Sequence, residues 1–213
     1  MALRSLFLFF IGCSIATAQV NWMTMDEALA AQKSNPKNII VDVYTTWCGP
    51  CKLLDKNTFG NPEVSAFINA NYYPVKFNAE GKELVNFNGN QFKNPQYDPN
   101  RKGRNARHQF TAYLGITGYP TVAFFDENAN YLAPIVGYHN VQQMEFYLKL
   151  FASGDYKNLK SQKDFAAYYK NFTAKFKSWA SKLNFKQKLI VFIESAVVFV
   201  HISYSNSPHA RKK

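Results

Sequence analysis

Two cysteines, Cys48 and Cys51, stand just after the apolar run Ile39-Ile40-Val41-Asp42-Val43-Tyr44. That run is too apolar for a half-exposed strand and is rich in β-branched residues, so it reads as a buried strand. Beyond the cysteines, Lys52, Leu53 and Leu54 lead a helix towards Phe59, which places the pair at a helix start. A strand that delivers a Cys-x-x-Cys to a helix N-terminus is an arrangement for thiol–disulfide exchange. The thiolate is the reactive species, and the free N–H groups and dipole of the helix stabilise it there. The spacing sets the second sulfur one turn along, within reach of a mixed disulfide formed at the first.

The flanking pattern builds an α/β domain. Thr24 and Glu27 make a capping-box pattern that opens a short helix, and Asn35-Pro36 ends it. Gly60-Asn61-Pro62-Glu63 breaks the helix after the cysteines and starts another, with Asn61 as N-cap. Residues 72–77 form a second strand, so strand, helices and strand make a crossover with a parallel pair. Residues 81–104 interrupt this rhythm as a turn-rich insertion ending in Arg101-Lys102-Gly103-Arg104. A helix resumes over 106–114 and stops at Gly115. Residues 121–125 and 131–136 form a hairpin about the turn 126–130, and Asn140 caps a helix closed by Gly154.

The net charge of +11 is unevenly spread: residues 1–154 carry 13 Lys/Arg against 11 Asp/Glu, and residues 155–213 carry 12 against 3. No nucleic-acid motif accompanies the basic residues, so they read as a solvated face and not as a nucleic-acid surface. Residues 1–18 read as a secretory signal. Arg4 supplies the positive region, Leu6–Ile11 the apolar one, and Ala16-Thr17-Ala18 the cleavage pattern, so the mature chain begins at Gln19. Phe10-Ile11-Gly12-Cys13 is a competing signal, a loose lipobox that would make Cys13 a lipid anchor. Either way the chain leaves the cytosol, and the Cys48–Cys51 pair is then the only one left for an oxidising compartment. It serves chemistry and not stapling. His108 and His139 are isolated, so no metal is expected, and His108 reads as a surface histidine. The organisation is a signal at 1–18, a domain at 19–154 containing the insertion, and a basic, partly helical extension at 155–213. In that extension residues 164–172 have aromatics at helical spacing, and the apolar run 189–202 is too short to span a bilayer.

With these landmarks in order, the chain resembles the thioredoxin superfamily. Trp47-Cys48-Gly49-Pro50-Cys51-Lys52 stands as the family's active-site sequence, and Asp42 takes the place of its buried aspartate. Val75-Lys76-Phe77-Asn78 is similar to the strand whose lysine approaches that aspartate. Gly118-Tyr119-Pro120-Thr121 resembles the cis-proline segment, and Val136-Gly137 the last-strand glycine. The stretch from Lys56 to Val64 is closer to exported thioredoxin-like proteins and to the periplasmic thioredoxin-like domain of the thiol:disulfide interchange reductases. Two features depart from the family pattern: the insertion at 81–104, and Tyr119 where a small or β-branched residue is common.

The resemblance implies a thioredoxin fold, a central mixed β-sheet flanked by helices. It also implies a periplasmic thiol:disulfide oxidoreductase acting as a reductant. Cys48 is then the nucleophile and Cys51 the resolving thiol, with no cofactor beyond their redox-active disulfide. Asp42, its pKa raised by desolvation, would take and return the proton that Cys51 loses. Lys76 either tunes that carboxyl or is a solvated strand lysine. Pro120, after a cis bond, would expose the backbone of Tyr119 to an extended substrate. Trp47, Gly49 and Pro50 complete the substrate-binding set, although Trp47 also fits a packing role. The implied partners are protein disulfides and a membrane electron-donor protein, with membrane association only through Cys13 lipidation or the basic tail. The competing readings are a non-catalytic binding module on the same scaffold, and a disulfide oxidase or isomerase.

Overall fold

The computed structural model describes residues 19–178. Its elements in chain order are α1 (Met25–Ser34), β1 (Asn38–Tyr44), α2 (Gly49–Leu54), α3 (Pro62–Asn71), β2 (Tyr72–Asn78), β3 (Val85–Phe87), β4 (Asn90–Phe92), α4 (Gln109–Tyr113), β5 (Thr121–Phe125), β6 (Tyr131–Val136), α5 (Val141–Ser153) and α6 (Gln162–Asn171). The signal segment with Cys13, and the apolar run at 189–202, lie outside the described residues.

Strand β1 is buried from Ile39 to Val43 because it lies in the interior of a four-stranded sheet ordered β2-β1-β5-β6. It pairs parallel with β2 and antiparallel with β5, giving the mixed sheet that the sequence implies. Alternation along the strand sends Ile39, Val41 and Val43 to one core and Ile40 to the other. The first core packs under α1 and Phe110; the second packs Leu54, Phe59, Ile68 and Met144. Asp42 shares the Ile40 face, so the sheet commits a carboxyl to an apolar layer.

The insertion is built differently from its composition. Asn88 and Gly89 both adopt positive φ, at 50° and 72°, and join β3 to β4 as a tight hairpin. Val85 and Phe87 are buried, and Phe87 packs against Phe110 and Phe125 at ring-centroid distances of 5.5 and 5.7 Å. The β3–β4 hairpin therefore anchors the insertion to the core through Val85 and Phe87, with Phe92 packed against them. The following helix is shorter than expected: 106–108 are not helical, and α4 begins only after His108. His108 is also not a surface residue. It is fully buried, its Nδ1 accepts the N–H of Phe110 at 3.0 Å, and its Nε2 faces the carbonyl of Glu83 at 2.7 Å. These partners require the tautomer protonated at Nε2, which ties the start of the insertion to α4.

After Leu54 the helix widens into one π-helical turn, Asp55–Phe59, where the Gly60 N–H reaches the Asp55 carbonyl at 2.8 Å. A Cβ at Gly60 would lie 2.6 Å from the Lys56 carbonyl oxygen, so that position admits only glycine. Such a turn rotates the residues before it relative to those after it. Asn61 then caps α3 as expected, accepting from the N–H groups of Glu63 and Val64.

The described part of the C-terminal extension packs on α5. Phe165, Tyr168, Tyr169 and Phe172 surround the Phe146 ring at centroid distances of 4.8–5.9 Å. The chain then runs back, and the fully buried Glu145 carboxylate accepts the N–H groups of Lys175 and Phe176 and pairs with Lys149. Glu145→Ala should lower unfolding free energy by about 3 kcal/mol, because it leaves those donors unpaired. Urea denaturation reads this directly, and Glu145→Gln, which keeps an acceptor, should lose less. An unchanged midpoint for the alanine variant would show that the strap adds no stability. Among the described residues no helix is long and apolar enough to cross a membrane.

Candidate active site

Cys48 is the N-cap of α2, with Pro50 in the first turn, where a missing N–H costs nothing. Cys48 and Cys51 are joined as a disulfide. The Cys51 N–H also points at the Cys48 sulfur, 3.1 Å away. The two residues are only 2% and 3% exposed, whereas Gly49 and Pro50 between them face solvent. A Cβ at Gly49 would meet nothing within 4 Å, so glycine there leaves open surface in front of the pair and answers no packing demand.

Thr121 pairs with Val43 across the β1–β5 ladder, which sets the preceding Pro120 at the strand end that leads to Trp47 and Cys48. The Tyr119–Pro120 bond is cis. The Trp47 ring, 37% exposed, meets Tyr119 edge-on at 6.1 Å. Its Nε1–H donates to the Glu80 carboxylate at 2.9 Å, and the Arg104 guanidinium lies over the ring, 4.4 Å from its centroid. Glu80 also takes the N–H of Asn105 at 2.7 Å. Burial pushes the Tyr119 hydroxyl up, Arg107 pulls it down, and Glu80 adds to the rise. The insertion thus closes back onto the redox motif. Sequence reasoning missed Glu80 and Arg104; the only available signal was the basic cluster that ends the insertion.

Asp42 is fully buried in β1, level with Lys76 in the parallel β1–β2 register. Its Oδ2 pairs with the Lys76 ammonium, while Oδ1 accepts no hydrogen bond from the described residues. Burial pushes its pKa up to about 6, and the Lys76 cation restrains that rise. Lys76 is therefore not a solvated strand lysine. Burial works against its charge, yet Asp42 and a second carboxylate, Asp55, raise its pKa. Asp55, one turn beyond Cys51, pairs with the same ammonium, and its N–H donates to the Cys51 carbonyl. The cation also sits over the Tyr44 and Trp22 rings, at 4.8 and 5.1 Å. Asp55 was not predicted, because it meets Lys76 across 21 residues of chain, a tertiary contact that no local pattern marks. The chain Asp42–Lys76–Asp55 couples the buried carboxyl to the helix that carries Cys51. Among the described residues no group of three His, Cys, Asp or Glu side chains is placed to hold a metal ion.

A family profile described as a thioredoxin-like domain matches residues 25–152. The thiol:disulfide interchange protein DsbD of Pectobacterium atrosepticum is 24% identical over 134 residues, covering 62% of this chain and 19% of the relative. Thioredoxin H2-2 of Oryza sativa subsp. japonica is 44% identical over 45 residues, 21% of this chain and 34% of that protein. The chain therefore spans about a fifth to a third of the length of these curated relatives. Among solved structures, a thioredoxin-fold protein from Helicobacter pylori aligns with a TM-score of 0.49 at 17% identity, over 64% of this chain and 84% of that one. The C-terminal domain of Neisseria meningitidis DsbD aligns with a TM-score of 0.39 at 18% identity, over 61% and 99%.

Proposed function

The chain belongs to the thioredoxin-like domain family, and from that premise we propose that it is an exported thiol:disulfide oxidoreductase that reduces polypeptide disulfides through Cys48 and Cys51. The observation that carries this reading is the Cys48–Cys51 disulfide at a helix start, backed by a buried carboxyl whose pKa is raised to about 6. In the reduced pair, the Cys48 thiolate attacks one sulfur of a substrate disulfide. A Cys48–substrate disulfide forms, and the other substrate sulfur leaves as a thiolate that takes a proton from water. The Cys51 thiol gives its proton to the Asp42 carboxylate and attacks the Cys48 sulfur. The Cys48–Cys51 disulfide forms, the second substrate thiolate leaves, and Asp42 returns the proton to it. Two electrons pass from the pair to the substrate.

The Cys51 N–H that points at the Cys48 sulfur is placed to hydrogen-bond the thiolate after reduction. Gly49-Pro50 between the cysteines supports the reducing direction. The signal pattern at 1–18, with maturation at Gln19, supports export to the periplasm. A pair working there needs a membrane protein that supplies two electrons from its own dithiol. A Cys51→Ser variant should accumulate mixed disulfides at Cys48, separable on non-reducing gels, and thereby capture both substrate and donor. The potential of the pair, equilibrated against glutathione, should lie near about −270 mV. A value above about −150 mV would favour an oxidase, and an absence of trapped species would favour a non-catalytic scaffold.

A further inference from the structure

The insertion that closes on Trp47 is also where the positive charge of the redox domain is concentrated. Residues 81–104 carry five Lys/Arg against two Asp/Glu, while the rest of residues 1–154 carries eight against nine. Arg101, Lys102 and Arg104 are exposed, and none of them enters an ion pair among the described residues. The acids nearby are already engaged. Glu80 holds the Trp47 indole and the Asn105 N–H, and Asp98 accepts the N–H of Asn100 at 2.9 Å.

Arg104 differs from an ordinary surface arginine because its guanidinium is held over the indole, 4.4 Å from the ring centroid. That contact holds the group beside the ring, and a carboxylate is the acceptor that its planar fork matches in a bidentate way. No hydrogen bond from its N–H donors to the described residues is formed. The ring it covers also touches Tyr119, the residue before the cis bond, so the fork stands at the rim of the surface that leads to Cys48.

We infer that Arg104, with Arg101 and Lys102 beyond it, selects substrates whose reactive cysteine is flanked by Asp or Glu side chains. The inference rests on the oxidoreductase reading of Cys48–Cys51 for its setting. Its occupant is an extended acidic segment: the carboxylate meets Arg104 on Trp47 while the disulfide lies over Gly49 and Pro50. The two further cations raise the local concentration of acidic chains at low salt, and screening removes that gain.

The test uses the full-length protein and two synthetic peptides with the same internal disulfide, one flanked by Glu and the other by Gln. Calorimetry on the oxidised protein should find the Glu peptide bound about tenfold more tightly at low ionic strength, narrowing to about twofold in 0.5 M salt. The ratio of kcat/KM for the two peptides should follow the same gap. Arg104→Gln should remove most of the gap. Arg104→Lys, which keeps the charge and loses the fork, should retain part of it. Lys102→Gln, which alters no contact with Trp47, should reduce it to a lesser degree. Equal binding of the two peptides by the wild-type protein, or a gap that persists in Arg104→Gln, overturns the inference. A binding gap without turnover of either peptide sustains the inference and sinks the reductase reading, so the two failures are distinguishable.

Discussion

Cys48→Ser should abolish disulfide reduction, lowering turnover of insulin by dithiothreitol to its uncatalysed background, a loss on the order of 10³-fold or more. The size of the effect follows from the chemistry. A serine hydroxyl at the same N-cap is not ionised at neutral pH, so it is a far weaker nucleophile than the thiolate and a far poorer leaving group from a mixed intermediate. Serine is itself a preferred N-cap, so it can accept the Cys51 N–H that now reaches the Cys48 sulfur. The variant should therefore fold, and its thermal midpoint separates lost chemistry from lost structure. Catalysis that survived this substitution would leave the pair as a structural link, and the chain as a binding module on a redox scaffold.

The elements that were legible in the sequence are those with a local cause. The continuous apolar run of β1 implied burial on both faces, and its burial from Ile39 to Val43 follows from pairing on each side. Asn61-Pro62 marked a helix start because cap and first-turn chemistry depend on adjacent residues, and the same holds for Asn140 and for Gly154, whose φ is 77°. The features that were missed depend on the tertiary path. Strands of three residues, β3 and β4, give too short an alternation to stand out from their polar neighbours, although Asn88-Gly89 was a hairpin signal in plain view. One π-helical turn leaves no periodic trace, and Asp55 meets Lys76 only through the tertiary path. His108 has basic sequence neighbours, but the fold turns its ring inward to cap α4. Glu80 reaches Trp47 from the turn after β2 and Arg104 from the far end of the insertion, contacts across 33 residues or more that no local pattern marks. The cysteines could be read from their own surroundings; the groups that stand beside them could not.

Asp42→Asn should separate the two chemical steps and, in the same protein, raise stability. The carboxyl is fully buried, and its pKa is raised from 3.8 to about 6 by desolvation that Lys76 only partly offsets. Between these two values the folded protein holds a proton that the unfolded chain has released. Stability therefore falls as pH rises through that window, and above it the buried charge costs on the order of 2–3 kcal/mol. The asparagine variant escapes that cost, and Lys76 retains Asp55 as its partner. It should thus be more stable than the parent above pH 7, with the advantage vanishing below about pH 4. Activity should move the other way. The first attack by Cys48 needs no help from Asp42, but release of the mixed disulfide needs a base for Cys51. Resolution should slow on the order of 10²-fold, so that the mixed disulfide becomes the species seen by rapid acid quench. In the parent the resolution rate should rise with pH through about 6, as Asp42 ionises, and in Asp42→Asn that inflection should be absent. Lys76→Met supplies the converse, because removing the cation lifts the pKa of Asp42 and carries the inflection to higher pH. If Asp42→Asn resolves mixed disulfides at the parental rate and keeps the inflection, the buried carboxyl is not the base. The gain in stability without a kinetic penalty would then show that its burial serves no step of the reaction.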